Sequence, residues 1–277
     1  MNDALNIWQE NAKHWTRHSN TLHTMFAPLT RALIERAGIR EGQSVLDVAA
    51  GAGEPSLTIA EIVGTTGSVM CTDAVLEMVE AARSEAQRRG LTNMEFRQCP
   101  AASLPFPANS FDVVVSRLGI MFFPDPVAAV RDMLRVLRPN GTLALAVWGK
   151  SEINPFCHLI TGVIDQHVKS PAPDPDAPNA FRFAETGKLT NVMTQAGAID
   201  LDERVFQFDI EAPVSPLQFW TLRSQTSDTL REKLAQLPAT QQAQIASEVE
   251  QAVKDFFPDN QMKFPAQMII ATGKKPA

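Results

Sequence analysis

Hydrophobic positions along this 277-residue chain form short apolar runs that alternate with longer segments of helical spacing. Short runs rich in Val and Leu predict buried strands, and the longer segments predict helices. Strands separated by helices indicate parallel βαβ units and a three-layer α/β/α fold. In chain order, the predicted elements are a helical region at about 3–38, strand 44–49, helix 54–63, strand 68–72, helix 75–90, strand 94–98, strand 111–116, helix 126–137 and strand 141–148.

The second half of the chain departs from this alternation in two segments. Residues 168–180 are rich in proline and predict a loop, because proline fits neither a helix interior nor a central strand. Residues 216–257 have a helical pattern and lie between a strand at about 203–210 and another at 265–272. We therefore expect a helical insertion before the last strand.

Composition limits the classes of protein to consider. A chain with 44% hydrophobic residues can bury the core of one large domain, or of a domain with a cap. The net charge of −6 and a pI of about 5.4 argue against a nucleic-acid partner, because phosphate binding depends on clustered Lys and Arg. The sequence has no apolar run of the roughly 20 residues that a membrane span needs, and its first residues lack a signal-peptide pattern. We therefore expect a cytoplasmic protein.

Cysteine and histidine spacing does not predict a metal site. Cys71, Cys99 and Cys157 are far apart in sequence, which favours buried small hydrophobic residues over a disulfide framework or a zinc site. His14 and His18 could share a helix face, but the sequence offers no third ligand near them.

The most informative motif is a hydrophobic strand that enters a turn of small residues, VLDVAAGAG at 45–53, followed by Asp73 after the next predicted strand. Glycine lets a backbone approach a ligand closely, and an acid at the end of the second strand can accept hydrogen bonds from ribose hydroxyls. The motif indicates nucleoside binding. Two structural alternatives stay open, namely tight packing of a helix on the sheet and a helix N-cap role for Asp73.

Four segments in order resemble the class I S-adenosylmethionine (SAM)-dependent methyltransferases, and most of all their small-molecule, ubiquinone/menaquinone-biosynthesis-type (methyltransferase type 11-like) branch. The segments are VLDVAAGAGEPSL (45–57), VMCTDAVLEMVEAAR (69–83), LPFPANSFDVVVSRLGIMFFPDP (104–126) and MLRVLRPNGTLALAVWGKSEINPF (133–156). The resemblance implies a Rossmann-like seven-stranded sheet with an antiparallel last strand, for which FPAQMIIATGKK near the end is the candidate.

The resemblance also implies a domain organisation and a cofactor. The expected parts are an N-terminal helical lid (1–38), a SAM-binding core (39–211 and 263–277) and a helical cap insertion (212–262). Asp73 is expected to bind the ribose hydroxyls of SAM, and either Trp15 or Arg17 its carboxylate. The implied cofactor-binding residues are Trp15, Asp47, Ala49, Gly51, Gly53, Asp73, Ala74, Met78, Ala101, Ala102, Ser116 and Arg117.

Two residues depart from the family pattern. Ala49 occupies the position of the usual first glycine, which suggests that this position does not require a positive φ or that the turn is wider. Pro100 occupies the position of an acid that commonly accepts from the adenine amino group. The loss of one such hydrogen bond costs about 0.5–1.5 kcal/mol, so we expect a modest reduction in cofactor affinity.

Catalysis by such a protein is mainly alignment of the acceptor in a dry pocket, so no universal catalytic residue is expected. A hydroxyl acceptor would benefit from a general base, for which His23 is the first candidate and His158 the second; the alternative is that each is a solvated helix residue. Aromatic residues predict a small, ring-bearing or lipophilic acceptor. The expected pocket residues are Trp8, Phe26, Met121, Phe122 and Trp148.

Three functions compete at this point. The favoured one is methyl transfer to a small molecule. A SAM-binding protein that does not transfer methyl, or that catalyses another reaction, is the second. An NAD-dependent oxidoreductase is the third, although the turn from Gly51 to Ser56 lacks the third glycine of that motif. The acceptor atom (O, N, C or S) and the choice between monomer and homodimer stay open.

Overall fold

A single mixed sheet organises the fold, as a computed structural model shows. The model describes the backbone of residues 2–168, 174 and 176–277, and the side chains of these from residue 8 onward. The strands are β1 (Ser44–Val48), β2 (Ser68–Asp73), β3 (Met94–Gln98), β4 (Phe111–Arg117), β5 (Leu137–Trp148), β6 (Ile199–Ala212) and β7 (Met262–Lys274). Their order across the sheet is β3-β2-β1-β4-β5-β7-β6. Strand β7 pairs antiparallel with both β5 and β6, which confirms the predicted seven-stranded Rossmann-like fold.

Ten α-helices accompany the sheet in the described part of the chain. They are α1 (Asn2–Arg17), α2 (Ser19–Ala37), α3 (Ser56–Val63), α4 (Leu76–Arg89), α5 (Pro126–Val136), α6 (Pro155–Asp165), α7 (Lys188–Ala196), α8 (Pro216–Thr226), α9 (Asp228–Ala235) and α10 (Ala239–Val253). None of the helices described is both long and apolar enough to cross a membrane.

The centre of the sheet forms the hydrophobic core. Residues Val113–Val115 of β4 and Leu143–Val147 of β5 are almost completely buried. Such continuous apolar runs are typical of strands that helices cover on both faces. Helix α2 contacts β4, β5, β6 and β7, whereas α3 contacts β1 and β2, and α4 contacts β2 and β3. Cys71, Cys99 and Cys157 are buried free thiols, as their spacing predicted.

The segment predicted as one helical insertion, 216–257, consists mainly of three helices. Helix α8 begins at a capping box in which the Ser215 hydroxyl accepts from Gln218 and the Gln218 side chain accepts in return. The helical pattern is broken at Ser227 and at Pro238, which has no N–H to donate. Of the predicted proline-rich loop at 168–180, residues 169–173 and 175 lie outside the described residues.

The N-terminal helices contact both the core and the insertion. Helix α1 packs against α4 of the core and α8 of the insertion. The Asn11 side chain donates a hydrogen bond to Asp228, and the His18 ring lies 2.9 Å from the Gln225 side-chain oxygen. These contacts hold α1 and α2 over the edge of the sheet at which β1, β2 and β4 end.

Candidate functional site

A cavity of about 380 Å³ lies at the carboxyl ends of β1, β2 and β4, beneath α1 and α2. Ligands of open α/β sheets bind at this edge, where the strand order reverses. Its lining is mostly apolar. The lining residues are Trp8, Trp15, Ser19, Leu22, His23, Phe26, Ala49, Ala50, Gly51, Ala52, Glu54, Asp73, Ala74, Val75, Met78, Cys99, Pro100, Ala101, Ala102, Arg117, Leu118, Gly119, Phe122, Phe123, Pro124, Asp125 and Ala129.

The turn after β1 forms one wall of this cavity. Ala49 has φ +61°, so the suggestion that this position does not require a positive φ was wrong. Gly119 leaves room for the Ala49 side chain, because a Cβ on Gly119 would lie 2.7 Å from Ala49 Cβ. Gly51 has φ +57°, and a Cβ there would meet no atom within 4 Å, so its backbone faces open space.

Gly53 serves packing of the turn and does not line the cavity in the described structure. A Cβ on Gly53 would lie 2.7 Å from Leu57 and 3.2 Å from Ala82. The expectation that Gly53 provides clearance for the cofactor is therefore corrected. It lets the turn pass close to α3 and α4 instead.

Asp73 lies at the end of β2 and binds the turn. Its Oδ2 accepts from the Gly51 N–H at 2.9 Å, and its Oδ1 accepts from the Val75 N–H at 3.0 Å. Burial raises the pKa of Asp73, and the hydrogen bonds from backbone N–H groups act in the opposite direction. Each carboxylate oxygen has a second lone pair. The side chain can thus hold the turn and still accept from a ligand.

Asp47 lies beneath the turn, completely buried and outside the lining of the cavity. Its Oδ2 accepts from the Ser56 N–H at 3.0 Å and from the Ser56 hydroxyl at 2.6 Å, whereas its Oδ1 is buried without a partner among the described residues. Burial raises the pKa of Asp47 to about 7. The expected direct contact of Asp47 with the cofactor is corrected, because the carboxylate faces the start of α3.

The end of β4 contributes Arg117 but not Ser116. Ser116 is completely buried and lies outside the lining, so its expected cofactor contact is corrected. Arg117 reaches the cavity, where its Nη1 donates to the Thr30 hydroxyl at 2.6 Å and its Nη2 to the Glu54 carbonyl oxygen at 3.2 Å. Its guanidinium lies 5.9 Å from the centre of the Phe26 ring. Side chains alternate along a strand, which is why the two neighbours differ.

His23 and Glu54 form a contact that the sequence did not reveal. The His23 Nδ1 lies 2.8 Å from Glu54 Oε1, and both side chains line the cavity. The Thr58 hydroxyl donates to Glu54 Oε2 at 2.7 Å. Burial raises the pKa of Glu54, but hydrogen bonds from His23 and Thr58 and the charge of Arg117 outweigh it, so the net shift is downward. The sequence signal that could have pointed to this contact is the position of Glu54, an acidic residue directly after the turn motif.

Three of the five predicted acceptor-pocket residues line the cavity. Trp8 meets Phe122 edge to face with ring centres 5.1 Å apart, and Phe26 lies near Arg117. The expected places of Met121 and Trp148 in the acceptor pocket are corrected, because both side chains are buried in the core and lie outside this lining. Met121 is on the inner side of the short 3-10 turn that presents Phe122 to the cavity.

His158, the second candidate base, lies elsewhere. It belongs to α6, its Nδ1 is 2.9 Å from the Ser151 carbonyl oxygen, and it lies outside the described lining. Its expected contact with an acceptor in this cavity is therefore corrected. Among the described residues, no group of three or more His, Cys, Asp and Glu side chains could hold a metal ion.

The segments around the cavity are similar to known proteins. A family model described as a methyltransferase domain matches residues 39–197. The uncharacterized protein Rv1405c of Mycobacterium tuberculosis is 40% identical over 124 residues, which are 45% of this chain and 44% of that protein. The ubiquinone/menaquinone biosynthesis C-methyltransferase UbiE of Cellvibrio japonicus is 37% identical over 133 residues, 48% of this chain and 52% of that one. The chain thus matches about half the length of these curated relatives.

A solved structure agrees in fold. The crystal structure of the YcgJ protein from Bacillus subtilis superposes with a TM-score of 0.57 at 24% identity and covers 90% of this chain and 98% of that one. The matched family segment spans more than half of the chain and contains the turn, Asp73 and Arg117. SAM is the cofactor of this family. The chain therefore belongs to the methyltransferase domain family.

Proposed function

We propose that this protein transfers a methyl group from SAM to a small, ring-bearing or lipophilic acceptor. The observation that carries the proposal is the composition of the cavity. One end is the turn with Asp73, and the other is an apolar wall that contains Trp8, Phe26 and Phe122. The displacement is in line, and the activated sulfonium of SAM supplies the reactivity, so the chain itself has to bind, orient and exclude water.

The residues at the first end of the cavity fit the cofactor. The backbone at Ala49 and Gly51 borders open space, which allows a ligand to approach closely. The Asp73 oxygens have lone pairs for ribose hydroxyls. The indole Nε1 of Trp15 is buried without an acceptor among the described residues, and Trp15 lines the cavity, which suits it to the cofactor carboxylate. Arg17, the alternative, is exposed.

The adenine end of the proposed site is apolar. Ala74, Met78, Ala101 and Ala102 line the cavity beyond Asp73. Pro100 also lines it and has neither a side-chain acceptor nor a backbone donor. We therefore propose that adenine is held mainly by apolar contact there and by backbone groups of the 101–102 loop.

We further propose that residues 1–38 act as a lid and residues 212–262 as a cap on a core formed by 39–211 and 263–277. Support comes from the contacts of α1, which packs on both α4 and α8 while Trp8 and Trp15 line the cavity. A lid of this kind excludes water from the reacting groups, which strengthens electrostatic interactions inside.

The acceptor class follows from the second end of the cavity. Aromatic side chains favour planar or lipophilic molecules. The UbiE relatives are C-methyltransferases of ubiquinone/menaquinone biosynthesis, and they match this chain over about half their length. These two observations support a ring-bearing acceptor of low molecular weight and leave open whether carbon, oxygen, nitrogen or sulfur receives the methyl group.

Label transfer tests the proposal. Purified protein would be incubated with methyl-labelled SAM and a small-metabolite extract, and products analysed by mass spectrometry. A labelled small molecule that is absent with the Asp73→Ala variant would support methyl transfer. Cofactor binding by calorimetry without any labelled product would favour the SAM-binding protein that does not transfer methyl. No cofactor binding would contradict the proposed site.

A further inference from the structure

We propose that Glu54 positions His23 as the general base for a hydroxyl group of the acceptor, so the acceptor is a phenol- or enol-type molecule. This inference rests on the proposed function and narrows its substrate class. It starts from the 2.8 Å contact between His23 Nδ1 and Glu54 Oε1 inside the cavity.

The contact determines which histidine nitrogen is free. An ionised carboxylate can only accept hydrogen bonds, so Nδ1 of a neutral His23 must carry the proton. Nε2 then keeps its lone pair, and no other side chain in the described part of the chain hydrogen-bonds to this ring. A carboxylate that accepts a hydrogen bond from one ring nitrogen in this way sets the tautomer and the orientation of a functional histidine.

Glu54 is held in place on several sides. Its side chain is 9% exposed, and Thr58 donates to Oε2 at 2.7 Å. Arg89 Nη1 lies 3.3 Å from Oε1, and Arg89 is itself anchored by Glu85 at 2.7 Å. Arg117 donates to the Glu54 backbone carbonyl. A carboxylate fixed in this way orients the imidazole before a ligand arrives.

The chemistry that the pair supports is removal of a proton from oxygen. The acceptor O–H would give its proton to His23 Nε2 while the oxygen forms a bond to the methyl carbon. The carbon–sulfur bond breaks, and its electron pair stays on sulfur. The resulting imidazolium faces the Glu54 carboxylate, which stabilises its charge. His23 is 37% exposed, so the proton can afterwards pass to solvent.

A hydroxyl is the acceptor that needs this base most. A phenol has a pKa of about 10 and is a poor nucleophile while protonated. A neutral amine attacks through its own lone pair, and a thiol, with a pKa of about 8.5, ionises more readily. The Arg117 guanidinium lines the same cavity and offers a positive charge to the developing oxyanion.

The tautomer of His23 provides a test that needs no acceptor. Long-range 1H–15N NMR of the imidazoles, assigned with His23→Asn, should show His23 protonated at Nδ1 in the wild type. Glu54→Gln should abolish this preference, whereas Glu61→Gln, an exposed acid on helix α3 that follows Glu54, should preserve it. Protonation of wild-type His23 at Nε2 alone, or an unchanged tautomer in Glu54→Gln, would overturn the positioning role.

A spectroscopic probe tests the acceptor class. With S-adenosylhomocysteine present, 4-nitrophenol bound to the wild type should show a larger phenolate band than in free solution at the same pH. In the Glu54→Gln and His23→Asn variants, the increase in the phenolate band should be about tenfold smaller than in the wild type. Their affinity for the cofactor should be unchanged. Absence of 4-nitrophenol binding, or a bound spectrum that equals the free one, would overturn the hydroxyl assignment. Calorimetry with SAM on the same preparations separates this outcome from failure of the proposed function.

Discussion

The two ends of the cavity are built in different ways. The proposed cofactor end consists of backbone and short side chains from the turn after β1 and the end of β2, where the Gly51 N–H donates to Asp73. The acceptor end consists of large side chains that come from distant parts of the chain, such as Trp8, His23 and Phe122. In the proposed function, cofactor binding therefore depends on a local motif, whereas acceptor choice depends on how α1 and α2 pack over the sheet.

Substitution at the acceptor end should have the largest effect on catalysis and almost none on cofactor binding. His23→Asn removes the proposed base, and general bases typically contribute about 10²–10⁴-fold to rate. We expect at least a 100-fold loss in label transfer. His18→Asn, at the N-cap of the helix that carries His23 and in contact with Gln225, should keep the wild-type rate of label transfer. An active His23→Asn enzyme would show that the acceptor end needs no base.

The pH dependence of stability should identify the buried acid beneath the cofactor end. Burial raises the pKa of Asp47 to about 7, above its value of about 4 in the unfolded chain. The folded chain therefore binds more protons than the unfolded chain between these two pH values. The contribution of Asp47 to the free energy of unfolding consequently falls as pH rises from 4 to 7. At 1.36 kcal/mol per pKa unit, the contribution is about 4 kcal/mol at most.

Denaturant unfolding at several pH values measures this effect. Asp47→Asn, which cannot ionise, should flatten the fall in stability between pH 4 and 7 relative to the wild type. An unchanged slope would mean that Asp47 is ionised in the folded protein at low pH.

At the cofactor end itself, Asp73→Ala should weaken SAM binding by 10-fold or more, because the variant loses the proposed ribose acceptor and the bond to the Gly51 N–H. Calorimetry measures the affinity, and circular dichroism should show an intact fold. Asp73→Asn, which keeps one oxygen, should lose less. Equal affinity in Asp73→Ala and the wild type would contradict the placement of the ribose.

The smallest expected effect concerns strain in the turn. Ala49 has φ +61°, which costs a residue with a Cβ about 1–2 kcal/mol, so Ala49→Gly should raise stability by up to about 1 kcal/mol. Ala50→Gly, next to it but without a positive φ, should lower stability by about 0.5–1 kcal/mol. Thermal unfolding of both variants gives the comparison. Equal destabilisation by both would mean that the positive φ carries no cost.

The alternation of apolar runs and helical segments determined the three-layer α/β fold class, and the family resemblance implied the antiparallel last strand. It also identified Asp73 and Gly51, because turn chemistry and the acid after the second strand are properties of consecutive residues. The strand ends and the subdivision of the 216–257 insertion were less well predicted, because edge pairing and capping groups decide them.

Only the tertiary structure decided the direction of individual side chains. Ser116 and Arg117 are neighbours, yet only Arg117 reaches the cavity, and Met121 is buried while Phe122 lines it. The contact of His23 with Glu54 joins α2 to the turn after β1, two segments whose contacting residues are 31 positions apart in the sequence. The local pattern of apolar and polar residues determines secondary structure through periodicity and short-range hydrogen bonds. Side-chain contacts between distant segments depend instead on how the helices pack on the sheet.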